Sequence, residues 1–142
     1  MSESPSSAEV RQVVEGLARA LDADDFAAAR TFLASECIYE TGSETHHGPE
    51  AILASYAAAS AWARRVFDEV RYESVVEPAV GTAATVNFMD YLLKAGARWH
   101  RHRCRQEFTV GPGGRVVRIV HHEIAGERDA VEAYFRECGI ER

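Results

Sequence analysis

Apolar residues recur at helical spacing near the start of the chain. After Ser6 they fall three and four positions apart, at Val10, Val13, Val14, Leu17 and Leu21. This spacing predicts an amphipathic helix that buries one face. Ser6 followed by Glu9 is typical of a capping box, in which each residue satisfies a backbone N–H of the first turn. A first helix is therefore expected to begin near Ser6.

Three further helices are predicted from start signals followed by apolar spacing. Asp24 can cap a short second helix whose apolar face is formed by Phe26, Ala29 and Leu33. Pro49 in a first-turn position opens a third helix, which is expected to end near residue 66. After Gly126, helical spacing returns at Val131, Tyr134 and Phe135.

The second half of the chain alternates between apolar and polar residues, which is typical of strands. A short strand is predicted at 37–41 and long strands at 68–77, 82–93, 98–110 and 115–124. The loop 42–48 carries His46 and His47, expected to be solvent-exposed. Helices followed by a mostly antiparallel sheet indicate an α+β protein. A curved sheet wrapped around the N-terminal helices would enclose a cone-shaped cavity.

Alternation along the strand 98–110 places a polar set on one face, at His100, His102, Cys104, Gln106 and Phe108. Pairing Val110 with Arg115 across the turn 111–113 predicts Cys104 opposite His121 and His102 opposite Glu123. An unsatisfied buried polar group costs about 1 to 3 kcal/mol, so this face is an unusual one for a sheet that covers a core.

Composition narrows the class of protein. At 142 residues the chain fits one domain, expected at 8–138 after a flexible N-terminus at 1–7. The net charge of −6, with no run of lysine or arginine, argues against nucleic acid or an anionic membrane as a partner. No stretch is long and apolar enough for a membrane span. Three cysteines, an odd number, indicate reduced thiols and a cytoplasmic location.

The order of elements, with the segments Leu21 to Phe26, Gly48 to Ile52 and Gly114 to Val117, resembles the NTF2-like superfamily, in particular its SnoaL-like group. The resemblance covers roughly residues 8 to 135 and implies the cone-shaped fold. That fold hosts ketosteroid isomerases, polyketide cyclases, epoxide hydrolases, dehydratases and proteins without chemistry, so the reaction must be inferred from the cavity residues.

Two catalytic patterns of the superfamily are missing at the corresponding positions. The general base of ketosteroid isomerases corresponds to Thr41, and their oxyanion-binding tyrosine and aspartate correspond to Leu17 and Gln106. The acid/base aspartate of SnoaL-type cyclases corresponds to Ile124. The resemblance does imply which positions line a cavity: Cys104, Gln106, Phe108, Ile119, His121 and Glu123.

The central hypothesis is a pair of His102 and Glu123, with His121 and His100 nearby, acting on a small, largely apolar molecule. A carboxylate bonded to one ring nitrogen fixes the tautomer and leaves the other to move a proton. The predicted catalytic residues are His102, His121 and Glu123. The predicted ligand-binding residues are Tyr39, Thr41, Tyr56, Trp62, Tyr91, His100, Cys104, Gln106, Phe108 and Ile119.

This hypothesis corresponds to an isomerase, dehydratase or hydrolase without metal or other cofactor. Two alternatives stay open. The histidines and Glu123 could hold zinc or non-haem iron. The protein could also be a non-catalytic ligand-binding or dimerisation module, in which these polar groups satisfy one another.

The opposite face of the strand 98–110 carries Trp99, Arg101, Arg103, Arg105 and Glu107. A tight turn at 95–96 would pair Asp90 with Arg101, Phe88 with Arg103 and Leu92 with Trp99. Arginine and tryptophan are enriched at protein contacts, and many proteins of the resembled superfamily dimerise through this face. We therefore expect a homodimer through the outer face of the sheet.

Overall fold

The computed structural model describes residues 4–141. Its helices are α1 (Ser7–Asp22), α2 (Phe26–Arg30), α3 (Gly48–Val66) and α4 (Glu127–Glu137). The predicted capping box is present, because the Ser6 side chain accepts from the backbone N–H of Glu9 and the Glu9 side chain accepts from the backbone N–H of Ser6. Of the predicted flexible segment 1–7, residues 1–3 lie outside the described part of the chain, and Ser7 belongs to α1.

Six strands form one sheet: β1 (Leu33–Glu40), β2 (Thr45–His47), β3 (Glu69–Val76), β4 (Ala83–Leu93), β5 (His100–Val110) and β6 (Val116–Glu123). Their order across the sheet is β2-β1-β6-β5-β4-β3. β1 and β6 are parallel, and the other neighbouring strands are antiparallel. The structure confirms the predicted α+β class, with N-terminal helices against a curved sheet and a short C-terminal helix.

Two local predictions were wrong. His46 and His47 belong to β2, which pairs with β1, because the loop before them is short enough to form a hairpin. The second helix is capped by Asp25, whose carboxylate accepts from the N–H of Ala28. Asp24 has a left-handed backbone with φ of 54° and its carboxylate contacts α3 instead.

The predicted register between β5 and β6 was wrong by two residues. Val110 pairs with Val116 rather than Arg115, and a bulge after Thr109 adds one more residue of offset. An offset of two leaves every side chain on its face but changes its neighbour. Cys104 therefore lies opposite Glu123, and His121 lies opposite Gln106.

The predicted register between β4 and β5 was wrong by one residue. The loop between these strands runs from 94 to 99, so Leu92 pairs with His100 and not with Trp99. An offset of one moves a whole strand to the other face. Asp90 and Phe88, expected on the outer face opposite Arg101 and Arg103, instead pair with the inward-facing His102 and Cys104.

Two apolar clusters cover the inner face of the sheet. The larger joins α1 and α3 to the strands through buried residues that include Val14, Leu17, Ile52 and Phe108. The smaller packs Phe67, Leu92, Tyr134 and Phe135 together, so that α4 closes one end of the cone. None of the helices within residues 4–141 combines the length and apolar character that crossing a membrane requires.

Candidate functional site in the cone

A cavity of about 360 Å³ lies between the inner face of the sheet and the helices. This volume is within the range of small-molecule sites. Its lining residues come from all four helices and from five strands: Leu21, Asp22, Asp24, Phe26, Tyr39, Tyr56, Ala59, Ser60, Trp62, Ala63, Tyr72, Phe88, Asp90, Leu92, His102, Cys104, Gln106, His121, Val131 and Phe135. Mostly apolar walls with a few converging polar groups are typical of a ligand-binding site.

One side of the cavity is organised by the buried side chain of Gln106. We call Tyr39, Tyr56, Gln106 and His121 the amide wall. The Tyr56 hydroxyl donates to Gln106 Oε1 at 2.5 Å, and Gln106 Nε2 donates to Tyr39 Oη at 3.0 Å. The same Nε2 lies 3.1 Å from His121 Nδ1. Every polar atom of the Gln106 amide is therefore engaged with a neighbouring side chain.

The two tyrosines of this wall are neutral phenols. Their rings stack with centroids 5.1 Å apart and planes 4° from parallel. Burial raises the pKa of Tyr39 to about 12 and raises that of Tyr56 well above its usual value. Both hydroxyls consequently keep their protons at physiological pH and can donate hydrogen bonds.

His121 is a neutral imidazole at neutral pH. Burial lowers its pKa below the ordinary value, and this effect outweighs the opposing charge of Glu123. Of its ring nitrogens, Nδ1 faces the amide of Gln106. The remaining nitrogen can exchange a proton with a ligand.

The opposite side of the cavity carries carboxyl groups. We call Asp22, Asp24, Ser60, Tyr72 and Asp90 the carboxyl wall. The Tyr72 hydroxyl donates to Ser60 Oγ at 3.0 Å, and Ser60 Oγ donates to Asp24 Oδ2 at 2.8 Å. These hydrogen bonds connect β3, α3 and the turn between α1 and α2.

On this wall, Asp24 forms an ion pair and Asp22 accepts a hydrogen bond. Arg64 Nε lies 2.7 Å from Asp24 Oδ2, and the guanidinium stands over the Tyr72 ring at 5.2 Å. Ser74 Oγ donates to Asp22 Oδ2 at 2.5 Å. Burial raises the pKa of Asp22 even so, with the hydrogen bond from Ser74 opposing the shift.

Asp90 is the most perturbed carboxyl of the cavity. Burial, and then the negative charge of Asp22, raises its pKa from 3.8 to about 7. A carboxyl with this pKa exchanges its proton readily near neutral pH. Because Asp90 lies directly opposite His102 on the neighbouring strand, their Cβ atoms are about 5 Å apart. A carboxyl group and an imidazole thus face the cavity side by side.

Seven of the predicted site residues line this cavity: Tyr39, Tyr56, Trp62, His102, Cys104, Gln106 and His121. Trp62 meets Phe67 and Phe135 edge-on at 5.9 and 5.7 Å, so it serves the cavity and the smaller apolar cluster together. Burial raises the pKa of Cys104 to about 12, which leaves a neutral thiol rather than a thiolate nucleophile.

Five of the predicted ligand-binding residues lie elsewhere. Phe108 and Ile119 share the predicted face but are fully enclosed in the larger apolar cluster. Thr41 follows β1, where its side chain exchanges hydrogen bonds with the backbone of Glu44. Tyr91 lies on the outer face, since it pairs with Arg101 in the corrected register. His100 is buried beside α4, where its ring stacks on Tyr134 at 4.9 Å.

Glu123 does not pair with His102. It lies opposite Cys104, and its carboxylate accepts from the Arg128 guanidinium at the start of α4. That ion pair holds the pKa of Glu123 below its usual value. Glu123 lines a separate polar hollow beside the cavity, which shares His102, Cys104 and His121 with it. The carboxyl group that lies opposite His102 across the sheet therefore comes from β4, not β6.

The carboxyl wall was missed by the sequence reasoning. Asp90 and Tyr72 alternate into the cavity only in the correct register. Asp22 comes from the end of α1, and Asp24 from the turn that follows it. The available signal was Asp90 itself, a charged residue within the largely apolar strand β4. Within the described residues, no group of three or more His, Cys, Asp or Glu side chains is placed to hold a metal ion.

Comparison with known proteins gives structural matches but no sequence match. No protein-family model and no curated protein matches this chain. An LEH-like epoxide hydrolase from M. tuberculosis has a TM-score of 0.63 at 20% identity, covering 93% of this chain and 99% of that one. A proposed polyketide cyclase from Xanthomonas campestris pv. campestris has a TM-score of 0.66 at 17% identity, covering 87% of this chain and 96% of that one.

The chain has the NTF2-like fold. The same architecture is found in a de novo designed protein with a curved β-sheet, at a TM-score of 0.64 and 20% identity over 94% of this chain and 99% of that one. At these identities the likeness concerns fold alone. The function must be argued from the residues of the cavity.

Proposed function

We propose that this NTF2-like protein is an acid–base enzyme that binds a small, largely apolar molecule in its cone and moves a proton with Asp90 and His102. The reaction class is an isomerisation, an elimination or a hydrolysis that needs no metal. The observation that carries the proposal is the position of Asp90: a half-buried carboxyl whose pKa is raised to about 7, opposite an imidazole on the wall of the cavity.

The pKa of Asp90 suits both directions of proton transfer. General acid–base catalysis is most effective when the pKa of the catalytic group is near the working pH. At that pH an ordinary aspartate is fully ionised and a poor acid. Burial and the neighbouring Asp22 leave Asp90 with substantial populations of both the carboxylic acid and the carboxylate.

The histidines and the amide wall complete the proposed site. His102 would exchange a proton with the ligand beside Asp90, and His121 would act from the adjacent strand. The stacked Tyr39 and Tyr56 would shape one side of the ligand, and Trp62 would cover it from α3. The charge of Glu123 would raise the pKa of His121 and so oppose the effect of burial.

The test is a reaction panel with two general readouts. Small cyclic and aryl ketones are incubated with the protein in D₂O, and proton NMR follows exchange of the C–H beside the carbonyl. Aryl epoxides are incubated in H₂¹⁸O, and mass spectrometry follows ring opening. These classes test proton abstraction and water addition separately. We expect one class to react faster with protein than in buffer, and Asp90→Asn to lower that rate by about 10² to 10⁴.

A matched variant and a binding readout make the outcomes distinct. Asp129→Asn changes an exposed aspartate on α4 and should leave the rate within about twofold. Equal rates in wild type and Asp90→Asn would contradict the role of Asp90. Binding of panel compounds without any reaction would identify the protein as a non-catalytic ligand-binding module. Absence of both binding and reaction would contradict the proposed cavity function.

We also propose that the protein is a homodimer through the outer face of β3, β4 and β5. Val75 and Trp99 are 57% and 40% exposed, and Arg71 stands over the Trp99 ring at 5.3 Å. Tyr91 and Met89 lie between them in the register. Light scattering should give twice the chain mass for wild type and the single chain mass for Tyr91→Glu. A monomeric wild type would contradict this proposal.

The location that we propose is the cytoplasm, and the support for it is the reduced cysteines. Cys37, Cys104 and Cys138 are all free thiols. Disulfides are rare in the cytoplasm, where glutathione and thioredoxin keep thiols reduced.

A further inference from the structure

The hydrogen-bond lengths in the amide wall indicate which way the amide group of Gln106 points. The contact of Tyr56 Oη with Gln106 Oε1 is 2.5 Å, a length found for O–H···O bonds and shorter than usual N–H···O bonds. The contacts of Gln106 Nε2 with Tyr39 Oη and His121 Nδ1 are 3.0 and 3.1 Å, as expected for N–H donors. The amide oxygen therefore faces Tyr56, and the amide nitrogen faces the other two residues.

This direction determines which hydrogens the wall offers to a ligand. An amide nitrogen has two hydrogens, and Gln106 uses one for Tyr39 and one for His121. Nδ1 of His121 is then an acceptor, so the proton of the neutral ring lies on Nε2. Tyr39 Oη accepts from Gln106, and its own hydroxyl hydrogen can go to the neighbouring Tyr56 hydroxyl, with which it also interacts, or to an acceptor oxygen of a ligand that displaces that contact. Gln106 itself has no hydrogen left to donate.

We propose that Tyr39 and His121 form a donor subsite for an acceptor oxygen of the ligand, a carbonyl or ether oxygen, and that Gln106 is the positioning residue that sets the direction of both donors. Both residues line the cavity and bond the same nitrogen atom, so they belong to one small region of its wall. This inference rests on the proposed function and adds the chemistry that the ligand must present.

The subsite also constrains the shape of the ligand. Gln106 lies four residues along β5 from His102, which faces Asp90. Four residues of a strand span roughly 13 Å of backbone. The acceptor oxygen would therefore anchor one end of an elongated ligand, while Asp90 and His102 act on another part. An apolar middle section fits the Cys104 and Phe88 side chains between them.

The first experiment needs no ligand. Nitrogen-15 NMR of histidine-labelled protein reports which ring nitrogen carries the proton, with the His121 signals assigned from a His121→Gln variant. We expect neutral His121 to be protonated at Nε2. A proton on Nδ1 would overturn the inference, because the amide of Gln106 would then face the opposite way.

The second experiment uses Gln106→Glu to replace the N–H donor that faces His121 with an acceptor. A carboxylate can only accept, so His121 should move its proton to Nδ1 and become easier to protonate, with a raised pKa. Gln12→Glu adds the same charge on the exposed face of α1 and should change neither property. An unchanged tautomer in a folded Gln106→Glu protein would contradict the positioning role. If that variant does not fold, the wild-type spectrum still decides the direction.

The third experiment tests the ligand chemistry with two probes of nearly equal shape. Acetophenone carries a carbonyl oxygen, and 2-phenylpropene replaces that oxygen with a methylene group. We expect wild type to bind the ketone about tenfold more tightly, and Tyr39→Phe and Gln106→Glu to lose most of this preference. Equal binding of the two probes, or binding of neither, would overturn the subsite. Because no turnover is measured, this result is independent of the role of Asp90.

Discussion

Asp90 on β4 lies directly opposite His102 on β5, and both side chains face the cavity. Partial burial in the cavity wall, and then the negative charge of Asp22, raise the pKa of the Asp90 carboxyl group to about 7. A carboxylate in such a place lowers the stability of the folded state. The position of Asp90 beside an imidazole therefore supports the proposed role in proton transfer rather than a role in folding stability.

Asp90→Asn should stabilise the protein at alkaline pH. The pKa of Asp90 is raised from 3.8 to about 7 on folding, so between these values the unfolded chain has lost a proton that the folded chain keeps. Stability conferred by the neutral acid is complete below pH 4 and decreases as the pH rises towards 7. At pH 8 the ionised Asp90 lowers the free energy of unfolding by at most about 4 kcal/mol. Water in the cavity would make this loss smaller.

Urea unfolding at pH 5 and pH 8, followed by circular dichroism, measures this difference. Wild type should lose stability relative to Asp90→Asn between the two values. Asp129→Asn, at an exposed position, should show no comparable change. Parallel pH dependence in wild type and Asp90→Asn would mean that Asp90 titrates like an ordinary aspartate.

Glu123→Gln should have little effect on turnover of any substrate that the panel finds. The carboxylate of Glu123 is bonded to Arg128 and lies opposite Cys104 rather than His102. Rates should therefore stay within about threefold of wild type, as for an exposed ion pair. His102→Gln should lower the rate by about 10² or more. If Glu123→Gln lowered the rate as much as His102→Gln does, the result would favour a catalytic pair of His102 and Glu123 instead.

The fold was predictable because its signals are local. The Ser6 and Glu9 capping box, the proline that opens α3 and the alternation along β5 each depend on a few neighbouring residues. The inner face of β5 was also predictable, since alternation depends only on a period of two. These signals establish the elements and which side of each is buried.

The partners across the sheet were not predictable in the same way, because register depends on loops. The six-residue loop at 94–99 moved Asp90 from the outer face to the cavity. The bulge after Thr109 changed the neighbour of His102 without changing its face. Hydrophobic pattern does not fix the length of a loop or the position of a bulge. The carboxyl group that lies opposite His102 is accordingly Asp90 and not Glu123.

Trp62 should report ligand binding by its fluorescence. The protein has two tryptophans: Trp62 lines the cavity, whereas Trp99 is 40% exposed and lies outside it. In Trp99→Phe, an apolar ligand such as 2-acetylnaphthalene should quench or shift the emission. In Trp62→Phe, the same ligand should leave the Trp99 emission unchanged at matched absorbance. A response from Trp99 alone would place the ligand on the outer face and contradict the cavity site.

His100 should make the protein less stable below pH 6.5, and His100→Phe should remove this dependence. The ring is 8% exposed and stacks on Tyr134, and among residues 4–141 its Nε2 has no hydrogen-bond partner. Burial first, and then the charges of His102 and Arg98, lower its pKa, while Glu127 and Glu137 oppose the shift. The unfolded chain therefore takes up a proton before the folded chain does. Stability is complete above pH 6.5 and decreases as the pH falls towards the folded pKa.

Phenylalanine keeps the stack on Tyr134 but cannot take a proton. We expect His100→Phe to equal or exceed wild type at pH 7.5, by up to about 1 kcal/mol, because the unsatisfied nitrogen is removed. The advantage should widen at pH 5.5, as measured by urea unfolding. His122→Phe, at an exposed position on β6, should follow wild type at both values. Because α4 places Val131 and Phe135 against the cavity and Tyr134 against His100, protonation of His100 should also weaken ligand binding at low pH. A constant difference between wild type and His100→Phe would mean that His100 does not titrate in this range.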